Sequence, residues 1–224
     1  MSDGPLPPGP ALPDAARNAT VFVVDDDVSY LRSISRMLKA SGLQVVIHNS
    51  AAELLAELRP DAQGCVLTDL MMPGMNGIEL QEALHRGGHP LPVIFLSGHG
   101  NIPSTVQAMK GGAEDFLTKN GPQKDLLAAI SRALERNTLN RERAAILTEK
   151  RRLFESLTDR EQEVLRHVLE GRLNKQIAAE LRIHERTVKL HRTHVTTKLG
   201  IHSVAERARL AQEAGVFPPP SRSP

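Results

Sequence analysis

The chain has 224 residues, 40% of them apolar, with one cysteine, no tryptophan and one tyrosine, enough for two ordinary domains whose cores rest on Leu, Ile, Val, Ala and Met. The single Cys65 excludes an internal disulfide and a cysteine-based zinc site, no run approaches the roughly 18 apolar residues of a membrane span, and the N-terminus lacks a basic-then-apolar leader, so a cytoplasmic protein with no membrane contact is expected. The net charge of +2 hides an asymmetry: residues 19–137 carry 10 Lys and Arg against 13 Asp and Glu, whereas residues 141–217 carry 16 against 11, which predicts different partners for the two parts.

In chain order, residues 1–18 are rich in proline and read as a disordered tail. Short apolar runs at 20–24, 44–48, 64–68, 92–97 and 115–118 read as buried strands. Between them lie helical stretches. Leu31, Ile34 and Leu38 at i, i+3 and i+7 form one stripe, Ser50 with Glu53 three residues on makes a capping box, and further helices are expected at about 77–86, 103–111 and 123–137. Five such βα units predict a doubly wound, five-stranded parallel sheet over 19–137. Residues 138–153 are charged and contain no Gly or Pro, which favours a helical connector; Leu139, Ile146, Leu147 and Leu153 are too few to specify a coiled coil.

From 154 to 217 the pattern is all helical. Thr158 and Glu161 form a capping box, Val164, Leu165, Val168 and Leu169 an apolar face, and Gly171 a stop. Helices are predicted at 174–181, at about 185–198 ending at Gly200, and from Ser203, again with Glu three residues on, to near Gly215. Two of these joined by a tight turn make a helix-turn-helix module, with Ile177, Leu181, Val188 and Val195 as its core. Residues 218–224 read as a second disordered tail.

The chemistry sits at strand ends. Asp25, Asp26 and Asp27 follow the first strand and Asp69 follows the third, and ligands of parallel sheets bind beyond the carboxyl ends of their strands. Clustered carboxylates resist ionisation unless a hard cation such as Mg²⁺ holds them charged. Taken alone these acids could equally cap a helix, and Asp27 is assigned that role.

The blocks Val-Val-Asp-Asp-Asp at 23–27, Asp-Leu-Met-Met-Pro-Gly at 69–74, Phe-Leu-Ser-Gly-His-Gly at 95–100 and Asp-Phe-Leu-Thr-Lys at 115–119 resemble the receiver domain of two-component response regulators, a flavodoxin-like fold. The resemblance implies that Asp69 is the phosphoacceptor of a sensor histidine kinase, and that Asp25, Asp26, Asp69 and the backbone carbonyl of Met71 hold Mg²⁺. It further implies that Ser97 and Lys119 contact the phosphoryl group and that Phe116 turns inward behind Ser97; Phe116 is equally open to a plain core role. One departure stands out: the family follows its lysine with proline, often cis, whereas this chain has Asn120. A non-proline cis bond costs about 2.5–4 kcal/mol, so a trans bond and a reshaped loop around Lys119 are expected.

Residues 156–214, with Leu157-Thr158-Asp159-Arg160-Glu161, Asn174-Lys175-Gln176-Ile177-Ala178 and Thr187-Val188-Lys189-Leu190-His191, resemble the DNA-binding domain of the LuxR/FixJ class. By that resemblance Lys189, Leu190 and Thr193 meet bases or nearby phosphates, and Lys175, Thr187, His191 and Arg192 meet the DNA backbone. The usual serine cap before this helix is replaced by His184, at a cost of about 1 kcal/mol. His184, His191 and His194 raise the question of a metal, but with no Cys or carboxylate to complete a set none is expected there.

The joined expectation is a DNA-binding transcriptional regulator, not an enzyme, phosphorylated on Asp69 and dimerising on paired half-sites of double-stranded DNA, with RNA polymerase as a further partner. Two rivals stay open: a phosphorylation-independent DNA-binding regulator that keeps the receiver as a scaffold, and a Mg²⁺-dependent phosphohydrolase with an aspartyl nucleophile.

Overall fold

The computed structural model describes residues 19–98 and 102–216; both proline-rich tails, and His99 and Gly100 of the third strand-end block, lie outside the described residues. The first part alternates β1 Thr20–Val24, α1 Val28–Ala40, β2 Gln44–His48, α2 Ala51–Glu57, β3 Gly64–Asp69, α3 Gly77–Arg86, β4 Val93–Ser97, α4 Ile102–Lys110, β5 Asp115–Thr118 and α5 Gln123–Glu155. The second part is helical: α6 Asp159–Leu169, α7 Asn174–Leu181, α8 Glu185–Leu199 and α9 Val204–Ala214. The chain divides into two compact units between Arg141 and Glu142, inside the stretch read as a connector and within α5.

All strand pairs are parallel, in the order β2-β1-β3-β4-β5. Every residue of β3 and β4 is buried, as expected of central strands covered on both faces. Alternation along the strands divides the core. Val21, Val23, Cys65, Leu67, Ile94 and Leu96 face α1 and α5, while Val24, Val66, Val93 and Phe95 face α2, α3 and α4. Burial in the first of these layers pushes the Cys65 thiol up to about 12, so it stays protonated core.

Two glycines allow close approaches that a side chain would block. A Cβ on Gly64, whose φ is +141°, would lie 1.8 Å from the Thr20 carbonyl oxygen; one on Gly77 would lie 2.3 Å from that of Asp69. Gly77 therefore lets the start of α3 sit directly under Asp69, with its N–H donating to the Leu70 carbonyl at 3.1 Å.

Several boundaries shift for local reasons. β4 starts at Val93, one residue later than read, since Pro92 has no N–H; its carbonyl still accepts from Val66 at 2.9 Å. α4 starts and ends one residue early, at Ile102 and Lys110. Asp27 caps α1 by accepting from the N–H groups of Ser29 and Tyr30. Ser50 accepts from Glu53, but the Glu53 carboxylate accepts from Asn49 at 2.7 Å instead of Ser50, so the reciprocal half of that box is displaced by one residue.

In the second unit the Thr158–Glu161 box closes in both directions. Ser203 does not act as expected: its hydroxyl makes no cap bond. Instead the buried Arg207 guanidinium organises this turn, donating to the carbonyls of Ser203 and His202 at 3.3 and 3.1 Å. His184 likewise gives α8 no side-chain cap. Val164, Val168, Ile177, Ala178 and Val188 form one small core, and Phe154, Leu157, Leu165, Val195, Leu199, Ala211 and Ala214 another. Leu181 packs on the first, partly buried. The α7–α8 turn places Arg182 at φ +53°, a left-handed conformation that costs a non-glycine residue roughly 1–2 kcal/mol.

Candidate functional site

The register of β1 against β3 pairs Val24 with Thr68, so the next residues, Asp25 and Asp69, stand side by side where the strand order reverses. Asp25 is 1% exposed and Asp69 is buried, while Asp26 is exposed at the rim. Carboxylate oxygens of all three lie within 4.8 Å of one another. β4 and β5 add the other two residues: Ser97, buried at the end of β4, and Lys119, one past the end of β5. The Lys119 N–H donates to the Ser97 carbonyl at 2.9 Å, and its ammonium lies 2.6 Å from Asp25 Oδ2 and 3.0 Å from Asp69 Oδ2.

That ammonium also sits over the Tyr30 ring, 4.7 Å from its centroid. Burial pushes the Tyr30 hydroxyl up to about 12, so the ring stays neutral beneath the charge. Every described peptide bond is trans, that of Lys119–Asn120 included. The expected reshaping does not remove Lys119 from the crevice, because a tight turn, Gly121 N–H to Thr118 carbonyl at 2.9 Å, closes the loop without proline. Phe116 is half-buried and stacks on Phe95 at 6.1 Å between centroids, within the core layer below. Met71 lies two residues beyond Asp69 and is 73% exposed.

The electrostatics fit a divalent cation. Three carboxylates against one ammonium leave the crevice two negative charges in excess. Burial raises the Asp25 pKa even though Lys119 and the Asp27 N–H pull it down. For Lys119, burial disfavours the charged form, but the bonds to Asp25 and Asp69 outweigh it and raise the pKa. Asp25 Oδ1 accepts from the Asp27 N–H at 3.0 Å, whereas the buried Oδ2 has only the ion pair with Lys119 and no aligned donor. An all-oxygen set with negative charge in excess, and with a buried oxygen held only by an ion pair, suits a hard ion such as Mg²⁺.

The second unit presents a basic face. Lys175 stands exposed at the start of α7, and Lys189, Leu190 and Thr193 are exposed on α8, with Leu190 at 53%. Arg192 is half-buried and donates to Asn174 Oδ1 at 2.8 Å, which ties α8 to α7. Thr187 and His191 are half-buried too. Lys189 has only a loose partner, Glu185 at 3.6 Å one turn back. A groove of about 800 Å³ runs beside this face, lined by Arg172, Lys175, Lys189, Arg192 and Thr193 among others.

One grouping supplies the residue that the sequence reading found missing. The carboxylate missing beside His191 and His194 is supplied by α6: Glu161, 3% exposed, brings an oxygen within 4.8 Å of ring nitrogens of both histidines. His184 is not part of the group. Burial works to raise the Glu161 pKa, but hydrogen bonds from Lys198 and the Thr158 N–H outweigh it and lower the value, so this carboxylate is ionised. Only its role as the fourth residue of a capping box was legible from local spacing.

Two family models match the chain: the response regulator receiver domain over residues 21–131 and the luxR family of bacterial regulatory proteins over 155–211. Nodulation protein W of Bradyrhizobium diazoefficiens is 42% identical over 203 residues, 91% of this chain and 89% of its own. The transcriptional regulatory protein FixJ of Azorhizobium caulinodans is 38% identical over 91% of this chain and 97% of its own. Among solved structures, the response regulator StyR matches with a TM-score of 0.75 at 42% identity, over 87% of this chain and 98% of that one. Full-length FixJ from B. japonicum matches with a TM-score of 0.54 at 34% identity, over 90% of this chain and 99% of that one.

The fold and the matches define a receiver joined to a helix-turn-helix effector. The chain belongs to the response regulators that pair a receiver domain with a luxR-type DNA-binding domain, regulators of transcription rather than enzymes. A receiver implies a histidine kinase as partner, and a luxR-type domain implies DNA. Among the described residues, no helix is long and apolar enough to cross a membrane.

Proposed function

We propose that this chain is a cytoplasmic phosphorylation-controlled transcription regulator in which Asp69 accepts the phosphoryl group from a histidine kinase. The observation that carries this reading is the convergence of the Asp25, Asp26 and Asp69 carboxylates within 4.8 Å, with the Lys119 ammonium bridging Asp25 and Asp69. An Asp69 oxygen attacks the phosphorus, the phosphorus–nitrogen bond of the phosphohistidine breaks, and the imidazole leaves. A loose transition state spreads charge over the phosphoryl oxygens, so the residues around it mainly neutralise and position.

Lys119 is placed to transfer its contact from the Asp69 carboxylate to a phosphoryl oxygen, and the Ser97 hydroxyl to donate to another. Asp25, Asp26, Asp69 and the Met71 carbonyl would hold Mg²⁺, which when bound supplies the positive charge that the crevice lacks. Phe116 follows Ser97 inward from its seat beside Phe95.

In the effector, Lys189, Leu190 and Thr193 would read bases or nearby phosphates from α8, with Lys175, Thr187, His191 and Arg192 on the backbone. A single module of this size binds weakly, which favours a phosphorylation-induced dimer on paired half-sites, with RNA polymerase as the partner beyond DNA. In the experiment that tests the reading, the purified chain with Mg²⁺ and labelled acetyl phosphate takes up one equivalent of label, and Asp69→Asn takes up none. Label retained by Asp69→Asn would overturn the assignment.

A further inference from the structure

We propose that Glu161, His191 and His194 form a binding site for a borderline divalent transition metal, for which Zn²⁺ is the probe, and that the ion clamps α8 onto α6. Two imidazoles and one carboxylate form a donor set of the kind that such ions take, and one that hard Mg²⁺ and Ca²⁺ disfavour. His191 and His194 are three residues apart on α8, so they project from the same side of the helix.

Glu161 comes from α6, and its two oxygens divide their work. Oε2 accepts from the Thr158 N–H at 2.8 Å and from Lys198 at 2.7 Å, which anchors the carboxylate; Oε1 faces His194 Nδ1 at 3.4 Å. Among the described residues His191 Nδ1 is buried with no hydrogen-bond partner, on a ring that brings one nitrogen within 4.8 Å of the Glu161 carboxylate. This is an independent mark of a ligand position, because a buried polar atom without a partner carries a desolvation cost that coordination would remove.

The fit needs only side-chain movement. Metal–nitrogen bonds of about 2.0–2.1 Å in a tetrahedron set ligand atoms roughly 3.4 Å apart, against the 4.8 Å that bounds the present group. His194, half-exposed at the rim, can close that gap, and water takes the fourth position. Lys198 opposes the ion, but it neutralises the other oxygen, Oε2, and is held there by a second bond to the Ser156 carbonyl at 3.0 Å. A metal on His191 would withdraw that imidazole from the proposed DNA backbone contacts.

The test uses the tag-free full chain in millimolar Mg²⁺, which loads the acidic crevice, and titrates Zn²⁺ against a chromophoric chelator. One equivalent is expected to bind at micromolar free Zn²⁺. His194→Gln and His191→Asn should each weaken it tenfold or more, while Asp69→Asn leaves it in place. Both variants alter half-exposed side chains, and circular dichroism verifies the fold, whereas Glu161→Gln also loses part of a capping box. Absence of Zn²⁺ binding by the wild type, or His194→Gln binding equal to wild type, overturns the proposal. Neither outcome bears on phosphorylation at Asp69.

Discussion

At the acidic crevice three carboxylates converge from the ends of two strands and one half-buried ammonium bridges two of them, whereas on α8 Lys189 stands on an exposed face with a loose partner one turn back. The difference lies in what each charge is for. Buried charges are costly unless paired, so those that persist are held in fixed geometry, and each one matters to the chemistry. Exposed cations interact weakly with their neighbours and leave that free energy for a polyanion, to which they contribute one by one.

Substitutions at the two sites should differ in size. The largest effect after loss of Asp69 itself is expected at Lys119. Lys119→Met removes the preorganised cation and leaves two adjacent carboxylates, and should slow phosphoryl uptake roughly 100- to 1,000-fold, as loss of one preorganised donor does at other charge-stabilising sites. Stopped-flow or label-incorporation rates with acetyl phosphate measure it. A drop of less than fivefold would mean that the crevice tolerates unpaired acids and that the comparison fails.

At the basic face a smaller and more uniform effect is expected. Lys189→Ala should weaken DNA binding by about 1 kcal/mol, roughly fivefold, with the dependence of log K on log salt reduced by about 0.9 if Lys189 meets a phosphate. Fluorescence anisotropy at several salt concentrations separates that outcome from base reading, which would change sequence preference and not the slope. An effect of similar size, on stability alone, belongs to the start of α8: His184→Ser supplies the missing cap and should stabilise the second unit by about 1 kcal/mol, seen as a higher denaturation midpoint for that unit.

Much of this was legible in the residues alone, and unevenly. Strand positions followed from runs such as Cys65-Val66-Leu67, since a strand buried on both faces has no alternative but continuous apolar sequence. Asp27 as a cap and the Thr158–Glu161 box were readable because capping depends on residues three apart. The same rule misled at Ser203, where a buried arginine from one turn further along organises the backbone by its carbonyls. It was incomplete at Ser50, where Glu53 bonds one residue too early. Local spacing states which bonds are available, and tertiary neighbours decide which of them form.

The acidic and histidine clusters mark the two ends of that range. The strand-and-helix alternation, the placement of Asp25, Asp69, Ser97 and Lys119 at strand ends, and the charge contrast between the two halves could all be read from the residues, because all three depend on periodicity and composition. Parallel strand ends must lie on one edge, so residues tens of positions apart could be brought to one crevice on paper. That Lys119 reaches both acids with Asn120 following it, and that Glu161 on α6 faces His191 and His194 on α8, emerged from the packed fold alone. Such meetings depend on how helices rotate and pack against a core, a three-dimensional quantity with no period along the chain.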